Sequence, residues 1–384
     1  MAIDIKNLVQ IIQKKEHAVT SSTSVQDMID IMKAAQKAEG SLIRNYDSAG
    51  DLPDAATTTE RIAYLSNSRT LRFNNGTWDN PLLGAAAAAS SYTYQGSVSG
   101  YVMGGGPTLA QNVIEKYSFS SDGNATDVGD LVTTGRYLAG VSSSTFGYRL
   151  GGWPAAATTR EKFPFATDTN ATDAGDLATA NSYLASQSYS THGYSSAGLT
   201  TGSVAKDEIE KFSFAGEETS TDVGNLTVSR YSSAGQSSPD NGYTSGGINP
   251  SPAVLNTIDK FPFSTDANAT DVGDMTLTRL YASGQNSDTY GYNSGGRTEG
   301  GGVTNVIDKY PFSSDGNATD VGDLTGTNNS YLMGGSSSTV SGYKAGGYPT
   351  TNNEIEKFPF ATDANATDVG DLTAGKYSVA SAQV

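Results

Sequence analysis

From about residue 99 onward the hydrophobic pattern is short and periodic. Segments such as Ile258-Asp259-Lys260-Phe261-Pro262-Phe263 alternate apolar and polar residues, the mark of a half-buried strand. Their Pro lacks a donor, which places them away from the innermost position of a sheet. Segments such as Gly242-Tyr243-Thr244-Ser245-Gly246-Gly247 read as strands ending in a double glycine, where the chain turns sharply or backbones approach closely. The run Arg230-Tyr231-Ser232-Ser233-Ala234-Gly235 is small and suits an inner strand in a crowded place. Thr270-Asp271-Val272-Gly273-Asp274-Met275 suits an outer one. The first eighty residues differ. Ile5 to Ile12 and Val25 to Ala35 carry apolar residues at helical spacing, the second with Ser24 as its cap.

The strand phrases recur six times in fixed order. The second phrase places its lysines at Lys116, Lys162, Lys211, Lys260, Lys309 and Lys357, which are 46, 49, 49, 49 and 48 residues apart. The third places its glycines at Gly129, Gly175, Gly224, Gly273, Gly322 and Gly370. Four short strands repeated at this period predict a six-bladed β-propeller. The inner-strand phrase returns once more as Lys376-Tyr377-Ser378-Val379-Ala380-Ser381, so the last strand is expected to complete the first blade and close the ring. Arg136, Arg230 and Arg279 are read as one repeat position with a structural role in each blade.

The order of these phrases resembles the kelch repeat: a strand ending in Gly-Gly, a variable loop, an Ile-Asp-Lys-Phe strand, an outer strand, then Arg-Tyr. The Trp usual in the outer strand is absent here, with Val-Gly-Asp in its place. The expected fold is therefore mainly β: a six-bladed kelch-like β-propeller over 99–384, preceded by a helical segment (1–45), a small β-meander (46–80) and a connector (81–98). The meander reads from Arg61-Ile62-Ala63-Tyr64-Leu65, Leu71-Arg72-Phe73 and Asn75-Gly76-Thr77-Trp78, with Asn75-Gly76 as a hairpin turn. It resembles a module of tailed-bacteriophage fibre and appendage proteins. The phrase Phe-Pro-Phe-Ser-Thr-Asp-Ala-Asn-Ala-Thr-Asp-Val-Gly-Asp resembles repeats in structural proteins of marine cyanobacterial phages.

Those resemblances imply a virion protein, made in the host cytoplasm and carried on a tail fibre or baseplate appendage, with a propeller displayed for adhesion or host recognition. A capsid-attached fibre or decoration protein and a free carbohydrate- or protein-binding propeller are the alternatives. Attachment to other virion proteins falls to the amphipathic helices, through Leu8, Ile12, Met28, Ile29 and Met32. Two such short helices must bury their faces on each other, on a host surface or on a further copy of the chain, so homo-oligomerisation is one expected outcome.

Composition narrows the chemistry. A net charge of −16 argues against nucleic-acid binding, which needs a basic surface. With no Cys in 384 residues there are no disulfides, zinc thiolates or cysteine nucleophiles. No run of eighteen apolar residues is long enough to span a membrane, and the N-terminus has no export signal. The two histidines, His17 and His192, are far apart in sequence, and no unrepeated acidic pair suggests glycoside cleavage. The expectation is a non-enzymatic protein without cofactor. Asp122, Asn124, Asp127 and Asp130 have spacings that could gather oxygens around calcium, although Asn and Asp in such turns also cap backbone amides. The segments after each Gly-Gly are where the copies diverge most, and a rigid scaffold places its recognition residues in such loops. Trp153, Asn249, Arg297 and Tyr348 are the candidates there.

Overall fold

Every repeat must bury strands on both faces, because a blade is flanked by two others. That requirement explains the architecture of the computed structural model, which describes residues 43–46, 62–65, 70–74, 78–79, 95–106, 109–154, 157–326, 331–348 and 352–384. The chain divides into two units, Met1–Ala89 and Ser90–Val384. In the first, Ile43–Tyr46, Ile62–Leu65, Thr70–Asn74 and Trp78–Asp79 form one sheet in that order. The first pair is parallel and the others antiparallel. The two expected helices lie outside the described residues.

The second unit is a six-bladed β-propeller of antiparallel four-stranded sheets. Blade 2 is representative: Ala139–Ser142 innermost, then Phe146–Leu150, Ala157–Pro164 and Thr172–Asn181 outermost. Blade 1 is made from both ends of the unit. Ala380–Gln383 is its inner strand and pairs with Ser99–Met103, with Ala380 opposite Met103 and Gln383 opposite Gly100. The ring is therefore closed by hydrogen bonds, as the extra copy of the inner-strand phrase implies.

Each recurring residue has an identifiable task. The Tyr of Gly-Tyr packs on two aromatics of the next blade, one in its third strand and one just past it: Tyr148 lies 5.7 Å from Phe212 and 5.1 Å from Phe214, and Tyr343 closes the circle against Tyr117 and Phe119 at 5.8 and 4.7 Å. The Gly before it is a seat for an aromatic of its own blade. A Cβ on Gly147 would stand 2.3 Å from the Phe163 ring, so no larger residue fits. The Ile of the third strand is fully buried, as at Ile114, Ile258 and Ile355.

The acid that follows this Ile was expected to face outward from a half-buried strand; it is buried instead. Glu115, Glu161, Glu210, Asp259, Asp308 and Glu356 are all at most 2% exposed. Burial of an unpaired carboxylate is prohibitive, and each acid has a cation. Arg230 pairs with Asp259 at 2.5 Å, Arg279 with Asp308, and Lys376 with Glu115. Lys344 pairs with Glu356 at 2.8 Å, Lys206 with Glu210 at 3.0 Å, and Arg149 with Glu161 at 3.6 Å. The acid keeps one repeat position while the cation comes from the segment entering the inner strand (Arg230, Arg279, Lys376), from the second strand (Arg149, Lys344) or from the start of the third (Lys206). Every acid also accepts from the preceding blade, for example Asp308 from the Thr276 N–H at 2.9 Å and hydroxyl at 2.6 Å. Arg136 therefore does not share the position of Arg230 and Arg279. It lies one residue further on, and Arg149 supplies the buried cation of its blade.

A second, exposed set of ion pairs runs round the opposite ends of the blades. Lys116 meets Asp168 at 3.0 Å, Lys162 meets Glu217 at 2.7 Å, Lys211 meets Asp266, Lys260 meets Asp315 at 2.5 Å, Lys309 meets Asp363, and Lys357 returns to Asp122 at 2.5 Å. Among the described residues no helix is long and apolar enough to cross a membrane.

Candidate functional site: the tyrosine mouth

The six inner strands surround an axial channel with a cavity volume of about 170 Å³. Small residues line it because neighbouring inner strands nearly touch. A Cβ on Gly140 would come within 2.0 Å of the Ser381 carbonyl oxygen. At one end, a backbone N–H of each blade donates to a side-chain oxygen of the next. Ser142 donates to Ser188 (3.1 Å), Ser188 to Ser237 (2.9 Å), Ser237 to Asn286 (3.4 Å), Asn286 to Ser337 (2.9 Å), Ser337 to Gln383 (2.9 Å) and Gln383 back to Ser142 (2.9 Å). Gln95 and Gly96 bond to the blades at this end. Gln95 Nε2 donates to the Asn286 carbonyl and Gly96 N–H to that of Ser337.

At the other end the ring is made of backbone alone. Tyr137, Tyr183, Ser232, Tyr281, Leu332 and Ser378 all have φ between 56° and 61°, the left-handed region that side chains other than Gly's rarely adopt. Each donates its N–H to the carbonyl of its counterpart in the preceding blade, at 2.7 to 3.1 Å, and the circle closes from Tyr137 to Ser378. Six strained residues are held because each supplies one hydrogen bond of a closed ring.

The left-handed turn lifts side chains over this mouth. Tyr137 and Tyr183 stack at 3.9 Å, and Tyr281 approaches Tyr183 at 6.2 Å across Ser232. In the remaining blades the Tyr stands one residue earlier, as Tyr231, Tyr331 and Tyr377, and extends the aromatic surface outward. Contacts run from Tyr281 to Tyr331 (6.2 Å), on to Tyr348 (5.1 Å), and on to Tyr377 (5.3 Å). Burial raises the pKa of the Tyr183, Tyr281 and Tyr331 phenols, and the other groups acting on them are tyrosines, the Ser232 hydroxyl, and the arginines Arg136 and Arg297.

The loops after Gly-Gly rim the same mouth. Trp153 bridges Arg136, Ile248 bridges Tyr231, and Tyr348 bridges Tyr331, while Arg297 pairs with Leu280. Trp153, Arg297 and Tyr348 thus occupy one repeat position on one face, and all three are exposed. The Arg136 guanidinium lies over the Trp153 ring at 4.2 Å and the Tyr137 ring at 5.5 Å. Asn249 is one residue beyond this position, and its Oδ1 accepts the Ser251 and Ala253 N–H groups at 3.0 Å, capping its own loop. The tyrosines themselves were missed in the sequence, where their phrase reads as small inner-strand packing. The signal was a Tyr before every inner strand, displaced by one residue in half the copies.

The other sequence candidates are placed elsewhere. Asp122 bonds Lys357, Asn124 Oδ1 accepts the Asp371 N–H at 3.1 Å, and Asp127 accepts the Gly129 N–H at 3.1 Å. Asp130 donates its N–H to Asn170. These oxygens serve blade junctions and turns, and no group of three or more His, Asp or Glu suited to a metal ion occurs among the described residues. His192 is half-buried, bonds the Thr191 hydroxyl at 2.8 Å, and has its pKa lowered by burial and by Lys211. His17, Leu8, Ile12, Met28, Ile29 and Met32 lie outside the described residues.

Fold and site together define a closed six-bladed β-propeller with an aromatic mouth on one face. No protein-family model matches the chain, and no curated protein matches it significantly.

Proposed function

We propose that this chain is a non-enzymatic recognition protein of a tailed-phage virion, carried on a tail fibre or baseplate appendage, whose kelch-like propeller presents the tyrosine mouth to a host-surface glycan or protein. The observation that carries the recognition reading is the convergence of the divergent loops and seven tyrosines on one face of a rigid ring. Half-exposed aromatics on a fixed scaffold offer large contact area at low cost in side-chain entropy, with a phenol at the tip for hydrogen bonding. A virion origin is supported by the resemblance of residues 46–80 to a phage fibre module and of the repeats to cyanophage structural proteins. In this reading the amphipathic helices, with Leu8, Ile12, Met28, Ile29 and Met32, dock the chain on other virion proteins. A capsid-attached fibre or decoration protein differs only in the docking partner.

The test is cryo-electron microscopy of the native particle. Density for the propeller on an appendage, with its tyrosine mouth in solvent, is the expected outcome. A propeller enclosed within the tail tube or capsid refutes display. Absence of the chain from purified particles favours the free carbohydrate- or protein-binding propeller, for which the same mouth would be the site.

A further inference from the structure

We propose that the tyrosine mouth binds an uncharged oligosaccharide, with one pyranose ring lying on the tyrosines and the following units crossing the rim past Trp153 and Tyr348. The inference rests on the recognition reading above and narrows its ligand to one class.

The first observation is the scarcity of charge. The loops that rim the mouth are 104–110, 151–158, 197–205, 246–256, 295–305 and 346–353. Their only charged residues are Arg297 and Glu299, one of each sign in a single loop, although charged residues make up 17% of the chain. The axial cavity beneath the tyrosines is lined by ten serines together with Asn286 and Gln383, and no Lys, Arg, His, Asp or Glu is among the described residues that line it. Such a surface suits an uncharged ligand, because an ionic one would give up hydration here with little counter-charge in return.

The second is shape. Tyr137, Tyr183 and Tyr281 border the cavity, whose volume of about 170 Å³ falls short of the roughly 300–1,000 Å³ of a pocket that encloses a whole small molecule. A ligand therefore lies on the mouth more than inside it. A pyranose has one face of C–H groups that packs on aromatic rings and an edge of hydroxyls. On this surface the edge meets phenols at the mouth and serine hydroxyls in the cavity wall.

The third is the rim. Tyr348, Leu109, Trp153 and Val204 are exposed and stand in the loops of four consecutive blades, 6, 1, 2 and 3. The two aromatics are anchored to the mouth by backbone. Trp153 donates its N–H to the Arg136 carbonyl at 2.8 Å and accepts from the Arg136 N–H at 3.2 Å, and Tyr348 donates its N–H to the Tyr331 carbonyl at 2.9 Å. Each is followed in sequence by Pro, which narrows the backbone conformations open to the residue before it. The Arg136 guanidinium is stacked on Trp153 and Tyr137 and supports both rings. Contact surface ordered before the ligand arrives lowers the entropy cost of binding. The arc gives a saccharide longer than one unit a path outward.

The experiment is calorimetric titration of the full chain with galactohexaose, maltohexaose and mannohexaose, all uncharged, and with hexagalacturonate. At least one uncharged hexaose is expected to bind, with an affinity independent of salt and about tenfold or more above that for hexagalacturonate. Trp153→Ala and Tyr348→Ala should each weaken it several-fold to about tenfold, with an unchanged melting temperature. Lys260→Ala, in the exposed ion-pair ring, should leave it unchanged. Tighter binding of hexagalacturonate, or an affinity that falls steeply with salt, overturns the uncharged class while the saccharide reading survives. Binding that neither rim variant alters puts the saccharide elsewhere and also overturns the inference. If no hexaose binds, a protein surface replaces the saccharide as the partner of the mouth. The recognition reading itself falls only if the particle shows the propeller enclosed.

Discussion

The migrating cation makes a prediction that the structure allows to be worked through. In blade 5, Arg279 and Asp308 are both fully buried. The same guanidinium donates to the Gly295 and Val306 carbonyls at 2.9 Å each. Removing the cation in Arg279→Gly leaves an uncompensated carboxylate in a dry blade interface, which costs about 3–5 kcal/mol. For a domain of this size that is a fall in melting temperature on the order of 5–10 °C. Blade 2 solves the same problem with Gly135 at the first position, Arg149 on the second strand and Glu161 as the acid. Copying that trio into blade 5 as Arg279→Gly with Asn293→Arg and Asp308→Glu should restore the pair from the second strand. The loss of the Asn293 bond to Ser245, 2.6 Å in the native chain, keeps the rescue short of complete, so recovery of about half the loss is expected. Thermal and urea unfolding of the three proteins measure this. A single variant that costs less than about 1 kcal/mol, or a triple variant no more stable than the single, would show that these blades do not share a common electrostatic design.

Three further predictions test other parts of the ring. Burial pushes the Tyr243 and Tyr292 phenols up to about 12, above the ordinary value of 10, so the folded state holds these protons longer than the unfolded chain does. Their contribution is complete below pH 10 and is lost as pH rises from 10 toward 12, at about 1.4 kcal/mol per unit for each group. Phenolate absorbance should therefore rise together with unfolding; titration of all tyrosines near pH 10 in a folded chain contradicts this. Gly140→Ala drives a methyl into the Ser381 backbone, and should cost about 1–3 kcal/mol in chemical denaturation; a neutral effect means the inner strands are not packed as described. Lys260→Ala breaks an exposed pair with Asp315, and should change stability by less than about 1 kcal/mol in the same assay.

The fold was legible because each blade repeats residues whose roles admit few substitutes. Gly147 must seat Phe163, Tyr148 must reach Phe212, and a strand must be left over to pair with Ser99–Met103. Those constraints act on single positions, so they survive as identical letters at fixed spacing. The buried ion pairs were hidden for the opposite reason. The constraint there is on a sum of charge within an enclosed volume, and any of three strand positions can satisfy it. Arg136 looked like Arg230 and Arg279 because all three stand near a Tyr, yet only the latter two face a buried acid. Alternation of Ile258, Asp259 and Lys260 suggested one dry and one wet face, a rule that fails where a sheet is covered on both sides. Of the mouth, the loop residues Trp153, Arg297 and Tyr348 stood out as divergent letters, whereas the tyrosines beneath them, although one precedes every inner strand, were read as part of the inner-strand packing. Their common feature is a left-handed backbone at the tyrosine itself or at the residue after it, and no residue type announces it when Tyr, Ser and Leu all adopt it.

This backbone ring also explains how one scaffold tolerates a divergent face. The hydrogen bonds that close the mouth use only N–H and C=O groups, so they are indifferent to which side chain each blade carries. Tyr137, Ser232 and Leu332 make the same bond. At the far end the ring depends on side-chain oxygens, and there the residues are restricted to Ser, Asn and Gln. The exposed pairs and Asn caps beside that end repeat almost letter for letter. Freedom of sequence is therefore concentrated where the fold asks nothing of the side chain. The backbone ring at the mouth therefore holds its shape whatever side chains it carries, whereas the ring at the far end does not.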